Sequence, residues 1–159
     1  MASNVFDFNT GLVTSSTDAN SVTTTLEYNH ALNRPSRTVR AYNTSVQSQS
    51  AIAYDDVNRI ITTTSDQSTY NDNVLKSQVV HDGLGRAIES RQYEGAANYI
   101  AVQTQYDSIG RAFKTSNPFR PWNSEIAIWT TSAFDGLGRI TSGLRRTARW
   151  LVTLTAATR

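Results

Sequence analysis

Cysteine is absent from the 159 residues, which removes disulfide staples, thiolate nucleophiles and any inference about redox compartment. Charge is scarce, with 18% of residues charged and a net of +2. Even that small excess is local: Arg145, Arg146, Arg149 and Arg159 carry +4 in the last seventeen residues, leaving −2 for residues 1–142. The body of the chain therefore lacks the positive field of a nucleic-acid binder. No apolar run approaches the roughly 20 residues of a membrane span. Met1-Ala2-Ser3-Asn4-Val5-Phe6 has neither the basic nor the apolar region of a signal peptide. Only 38% of the chain is hydrophobic, which suits thin, half-buried sheet better than a thick-cored globule.

What the chain has instead is one short phrase, rewritten. Phe134-Asp135-Gly136-Leu137-Gly138-Arg139 recurs at His81-Asp82-Gly83-Leu84-Gly85-Arg86, at Tyr106-Asp107-Ser108-Ile109-Gly110-Arg111 and at Tyr54-Asp55-Asp56-Val57-Asn58-Arg59. A copy one residue longer runs from Tyr28 to Arg34, and a weaker one, Phe6-Asp7-Phe8-Asn9-Thr10-Gly11, has Leu12 where arginine is due. The leading residues at 28, 54, 81, 106 and 134 lie 26, 27, 25 and 28 residues apart. Near-constant spacing of this kind indicates an array of repeated units.

Each unit reads as strand, turn, strand. Before each ring the apolar and small residues share its parity: Val22, Thr24, Leu26 and Tyr28; Leu75, Ser77, Val79 and His81; Ile100, Val102, Thr104 and Tyr106; Ile126, Ile128, Thr130, Ser132 and Phe134. Period two over β-branched residues predicts a strand with one buried face, closed by the ring. Burial of such a ring contributes about 1.5–3 kcal/mol. The acid accepts backbone N–H bonds, and Gly or Asn in the fifth place takes the positive φ of a tight turn. The arginine returns beside the acid and fixes the register of the loop. A second short strand follows it, as in Ala87-Ile88-Glu89-Ser90, Ala112-Phe113-Lys114-Thr115, Ile60-Ile61-Thr62-Thr63 and Ile140-Thr141-Ser142. Polar connections fall at 65–73, 93–98 and 117–124, the last with Pro118, Pro121, Phe119 and Trp122. No segment of residues 1–142 has helical periodicity, so an all-β array of antiparallel hairpins is expected there, with no linker dividing it.

These units resemble the YD repeats of the Rhs and teneurin families: Tyr-Asp, two or three variable residues, Gly or Asn, then Arg. The resemblance covers about residues 6–142. It implies a β-ribbon that spirals into a hollow shell, found in large secreted or surface proteins of bacteria and in eukaryotic adhesion receptors. In bacterial Rhs members the shell encapsulates a C-terminal toxin, and a region near its end is autoproteolytic. On this resemblance Tyr28, Arg34, Tyr54, Asp55, Arg59, His81, Asp82, Gly85, Arg86, Tyr106, Asp107, Gly110, Arg111, Phe134, Asp135, Gly138 and Arg139 are repeat-defining structural residues. The segment from Phe6 to Leu12 shares the acidic Gly-Leu look of the cleavage region, but its place ahead of further repeats reads as a degenerate first unit.

Residues 143–159 break the pattern. Gly143-Leu144-Arg145-Arg146-Thr147-Ala148-Arg149-Trp150 is basic and does not alternate, so an irregular tail is expected. The residues permit codons whose shifted frame reads Ser-Ser-Pro-Asp-Gly-Thr, the continuation the repeat family leads one to expect. The tail is accordingly read as frameshift-derived and the chain as a fragment of a longer array. A short amphipathic helix facing an anionic surface is the rival reading.

Chemistry-bearing patterns are thin. Asp55, Asp82, Asp107 and Asp135 could be paired glycosidase acids, but a catalytic pair is needed once and a turn acid in every unit. Gly83-Leu84-Gly85 lacks the third glycine and the helix of a dinucleotide site. His81 fills a ring slot, and His30 is far from it with no cysteine to complete a metal site. No serine sits in a nucleophile elbow or an SxxK arrangement. Asn43-Thr44-Ser45 matches a glycosylation sequon by pattern alone. Tyr70, Tyr93, Tyr99, Trp122 and Trp129 could stack on sugars, though Tyr93, Tyr99 and Trp129 are expected to pack within or between units. That leaves Tyr70 and Trp122, of which Trp122 is taken as the candidate for ligand stacking. The expected role is a non-catalytic wall segment with no cofactor, secreted or at the cell surface by resemblance. Its expected partners are neighbouring repeats, an enclosed toxin or surface glycans. The alternative is a carbohydrate-binding surface module.

Overall fold

The computed structural model describes residues 1–29 and 31–145, with no account of the side chains of Leu144 and Arg145. His30 and the tail from 146 lie outside the described residues, as do the expectations placed on them. The described residues form twelve strands: β1 (Ser3–Phe6), β2 (Val13–Thr17), β3 (Thr23–Glu27), β4 (Arg37–Arg40), β5 (Ser48–Asp55), β6 (Ile60–Ser65), β7 (Leu75–His81), β8 (Ala87–Tyr93), β9 (Tyr99–Tyr106), β10 (Ala112–Ser116), β11 (Trp129–Phe134) and β12 (Ile140–Arg145). They lie in one open sheet in strict sequence order, every neighbour antiparallel. The fold is all-β, as expected. The one helical element among the described residues is a 3₁₀ turn, Pro121–Asn123, in the proline-containing connection.

A single layer has no second layer to bury a face against, so the expected buried face is only half-buried, and alternation shows at Ala53–Asp55, Ser90–Tyr93 and Ser132–Phe134 but not in every strand. β2, β3 and β6 are half-buried at every position, with no alternation. The buried apolar residues among those described are Val39, Ala101 and Phe119. Ala101 lies on the parity opposite to Tyr106, and is covered because Phe119 folds back on it. The two residues exchange backbone hydrogen bonds of 2.8 and 3.0 Å, so the 117–128 connection lies against β9 despite its prolines. Ile126, assigned by parity to a strand, is outside β11 and exposed. β12 carries its ladder past residue 142, pairing Gly143, Leu144 and Arg145 with Ser132, Thr131 and Thr130.

Candidate functional site

The turn is built by one carboxylate. In the 81–86 unit Asp82 Oδ1 accepts the N–H of Leu84 at 2.9 Å and of Arg86 at 3.0 Å, while Arg86 Nε donates to Oδ2 at 2.7 Å. Asp107 and Asp135 repeat these contacts with Ile109 and Arg111 and with Leu137 and Arg139. Gly85, Gly110 and Gly138 take φ of 78°, 89° and 81°. This is the three-residue hairpin loop whose last residue is left-handed. The arginine N–H lowers the pKa of all three aspartates most, and the guanidinium adds to it. A carboxylate that accepts two N–H bonds and an arginine is held ionised, and its lone pairs are spoken for.

Two turns differ. Asn58 was expected to take the positive φ of its unit, but Arg59 does, at 58°. Asn58 is instead held by Asp55, through its N–H at 3.0 Å and its Nδ2 at 2.7 Å, inside a four-residue loop. That side-chain bond is the main cause of the lowered pKa of Asp55, and Arg59, displaced from the acid, turns its Nε toward the His81 carbonyl at 3.3 Å. In the first unit Gly11 (φ 69°) closes on Asp7 one residue later than in the later turns, with Asp7 Oδ1 held by Asn9 and Thr10. It is a lengthened form of the same hairpin.

Each arginine also has a second face, and this is what joins the units. The guanidinium of Arg34 lies 4.0 Å from the centroid of Tyr54, that of Arg86 4.5 Å from Tyr106, and that of Arg111 4.4 Å from Phe134. At these three joints the arginine of one unit caps the ring of the next. The ring answers: Tyr54 Oη donates to the Pro35 carbonyl at 2.9 Å and Tyr106 Oη to Ala87 at 3.0 Å, in both cases the residue after the capping arginine. His81 keeps the position by its N–H to the Arg59 carbonyl at 2.9 Å. Arg34 adds a bidentate pair to Asp56 at 2.7 and 3.0 Å.

One register rule governs all five joints. The residue three after the arginine faces the residue three before the next ring: Arg37 and Ala51, Thr62 and Gln78, Glu89 and Gln103, Lys114 and Thr131. Ser15 and Thr25 obey it too, counted from Leu12 and Tyr28. The residue in the arginine place, Leu12 in the first unit, is therefore opposite the next ring at every one of these joints, and the connections absorb the differences in spacing.

On the rest of the sheet the rings are occupied as expected. Tyr93 and Tyr99 touch at 5.4 Å, Lys76 lies over Tyr93, Arg91 over Tyr99, and Lys114 over Trp129. Trp122 is 49% exposed on its 3₁₀ turn. That loop is tied down by Arg120, which makes a bidentate pair with Glu94 at 2.7 and 2.9 Å. Tyr70 is exposed and its hydroxyl accepts from Arg37 at 2.7 Å. An open cleft of about 560 Å³ runs past Glu89, Arg91, Gln103, Tyr106, Phe113 and Trp129. Its polar groups are satisfied within the sheet: Glu89 holds Arg91 and Gln103, and Gln78 accepts from Arg91 and Tyr93.

The connection expected at 65–73 follows β6, but what the sequence did not reveal is that two aspartates organise it. Asp72 accepts the N–H groups of Thr69, Ser68, Gln67 and Val74, which lower its pKa strongly. Asp66 accepts those of Asn71, Gln49 and Asn73, which outweigh its burial and lower its pKa. The signal for this loop was present as two aspartates among Ser, Thr and Asn. Among the described residues no three His, Cys, Asp or Glu side chains converge to hold a metal ion, and no helix is long and apolar enough to cross a membrane. No protein-family model matches the chain, and no curated protein is found similar to it.

Proposed function

We propose that this chain is a non-catalytic structural segment of an Rhs-like YD-repeat array, a length of wall that encloses a cargo or displays a surface outside the cell. The observation that carries this reading is the single register of the five joints, in which every unit is docked on its predecessor. The aspartates that would be catalytic candidates serve the turns: each holds backbone N–H groups, and Asp82, Asp107 and Asp135 hold an arginine as well. A repeated acid that is fully engaged supports a structural role over a general acid or base, which must be free to exchange a proton.

The DNA flanking the coding segment tests this. Further units of the ring-acid-glycine-arginine phrase are expected there, with a secretion signal or toxin module in the same frame. Flanks without further units would remove the wall reading. The same read decides whether a shifted frame after residue 142 restores the repeat. A second reading, carbohydrate binding, is favoured by Trp122, an exposed indole on a loop pinned by Arg120 and Glu94. Glycan-array binding that Trp122→Ala abolishes would establish it, and absence of binding by the unaltered chain would dismiss it.

A further inference from the structure

Four successive hairpin turns carry an apolar residue at the same place, two after the acid, and the turn makes no use of its side chain. In the turns after β5, β7, β9 and β11 these residues are Val57, Leu84, Ile109 and Leu137. Asp55, Asp82, Asp107 and Asp135 engage only their backbone N–H groups, and the four residues stand 87%, 79%, 72% and 81% exposed. Because the strands run in sequence order, all four turns emerge at one edge of the sheet, two strands apart, which sets the tips about 10 Å from one another. The opposite edge exposes Val46, Val74 and Ile126 on its longer connections, at no common place. Single exposed apolar residues need no explanation, but a regular row of them marks a contact surface.

We propose that this rim is where a second copy of the chain docks, rim against rim, in a two-fold dimer. The pitch of the row points to that occupant. Apolar tips about 10 Å apart, with polar ground between them, are matched by a surface of the same pitch, and another rim is such a surface. Each tip then enters a gap between two tips of the partner. The ground between them permits the approach: Asp82, Asp107 and Asp135 each hold the arginine of their own turn and leave no net charge there to repel a like surface. Covering one such side chain removes roughly 60–120 Å² of apolar surface from water. Four from each copy supply about a third to a half of the roughly 800 Å² per partner in a standard interface, and the polar residues of the turns fill the remainder. A contact of that composition is weak and depends on concentration. The same surface serves on both copies, so the contact closes at two. All four tips lie in the interior of the chain, so the contact is the same whether or not further units flank it.

Sedimentation of the full chain from about 1 μM to 1 mM, the range in which weak protein contacts become populated, tests it. Mass is expected to rise from one copy toward two and no further. Leu84→Gln and Ile109→Gln each remove a tip while keeping its N–H for the acid, and together they should weaken association roughly tenfold or more. Both residues are exposed, so the double variant should keep the far-ultraviolet spectrum and denaturation midpoint of the unaltered chain. Val46→Gln removes a comparably exposed apolar residue at the opposite edge and should leave association unchanged. Phosphatidylcholine vesicles offer a lipid surface in place of a second copy, and no binding to them is expected. A chain that stays monomeric, masses that climb past two, a double variant that associates as the unaltered chain does, an equal loss in Val46→Gln, or vesicle binding that the double variant loses overturns the proposal.

Discussion

Gly83 and Gly85 flank Leu84 in one turn, yet only Gly85 has a positive φ, at 78°. An alanine Cβ would find open space at both positions, so the backbone conformation alone separates them. Gly85→Ala is expected to cost about 1–2 kcal/mol, the penalty of a left-handed L-residue, while Gly83→Ala should stay within about 0.5 kcal/mol of the parent. Denaturation midpoints of the two variants decide it, and equal losses would contradict the turn assignment. The same hairpins set the response to acid. Asp82, Asp107 and Asp135 have pKa values below the ordinary carboxylate value, through the arginine N–H first. A group depressed in the folded state contributes stability that is fully present above its unfolded pKa and is lost as pH falls through the folded one. Asp72, held by four N–H groups, adds to the effect. The denaturation midpoint should therefore gain nothing from these groups as pH falls from 7, and should drop once pH passes below about 4, where unfolded carboxylates begin to protonate. A midpoint that rose on acidification through that range would reverse the sign.

At the scale of the element, the unit of cohesion is the contact between one hairpin's arginine and the next hairpin's ring. Tyr106 is fastened twice, by the Arg86 guanidinium over its face and by its hydroxyl on the Ala87 carbonyl. Tyr106→Phe removes only the second and should cost about 0.5–1.5 kcal/mol, the net value of a hydrogen bond. A double-mutant cycle of Arg86→Ala with Tyr106→Ala isolates the first, with an expected coupling of about 0.5–1 kcal/mol. A coupling of zero would mean that the arginine serves Asp82 alone. The hairpins were legible in the sequence because ring, acid, glycine and arginine recur at fixed places. The joint was not, because the acid four residues away accounts for the arginine's charge and leaves nothing to suggest a second contact. The clue was the next ring, which follows Arg34, Arg59, Arg86 and Arg111 by 20, 22, 20 and 23 residues. The Asp55 turn misled for a related reason. Asn58 tolerates a left-handed backbone, but its amide is better used on Asp55, and the strain passes to Arg59.

For the whole molecule, the parity rule assumed a second layer, and a single sheet has none. Only Val39, Ala101 and Phe119 are buried apolar residues among those described, so no central core makes the twelve strands unfold as one. Stability is instead the sum of hairpins and joints, each unit contacting only its neighbours, as in other linear arrays. Units in the middle have a joint on both sides, whereas among the described residues β1, exposed at all four positions, and β12 have one neighbouring strand each. Opening should therefore begin at the ends and spread inward. Amide hydrogen exchange, followed in dilute solution where copies do not meet, is expected to be slowest in β5–β9 and progressively faster toward β1 and β12. Gln49, in β5 at one edge of that block, and Ser116, in β10 just beyond the other, are buried polar residues held by side-chain hydrogen bonds, and protection should fall outward from them. A single common exchange rate across all strands would show one cooperative unit, and would require an organising core that the sheet does not contain.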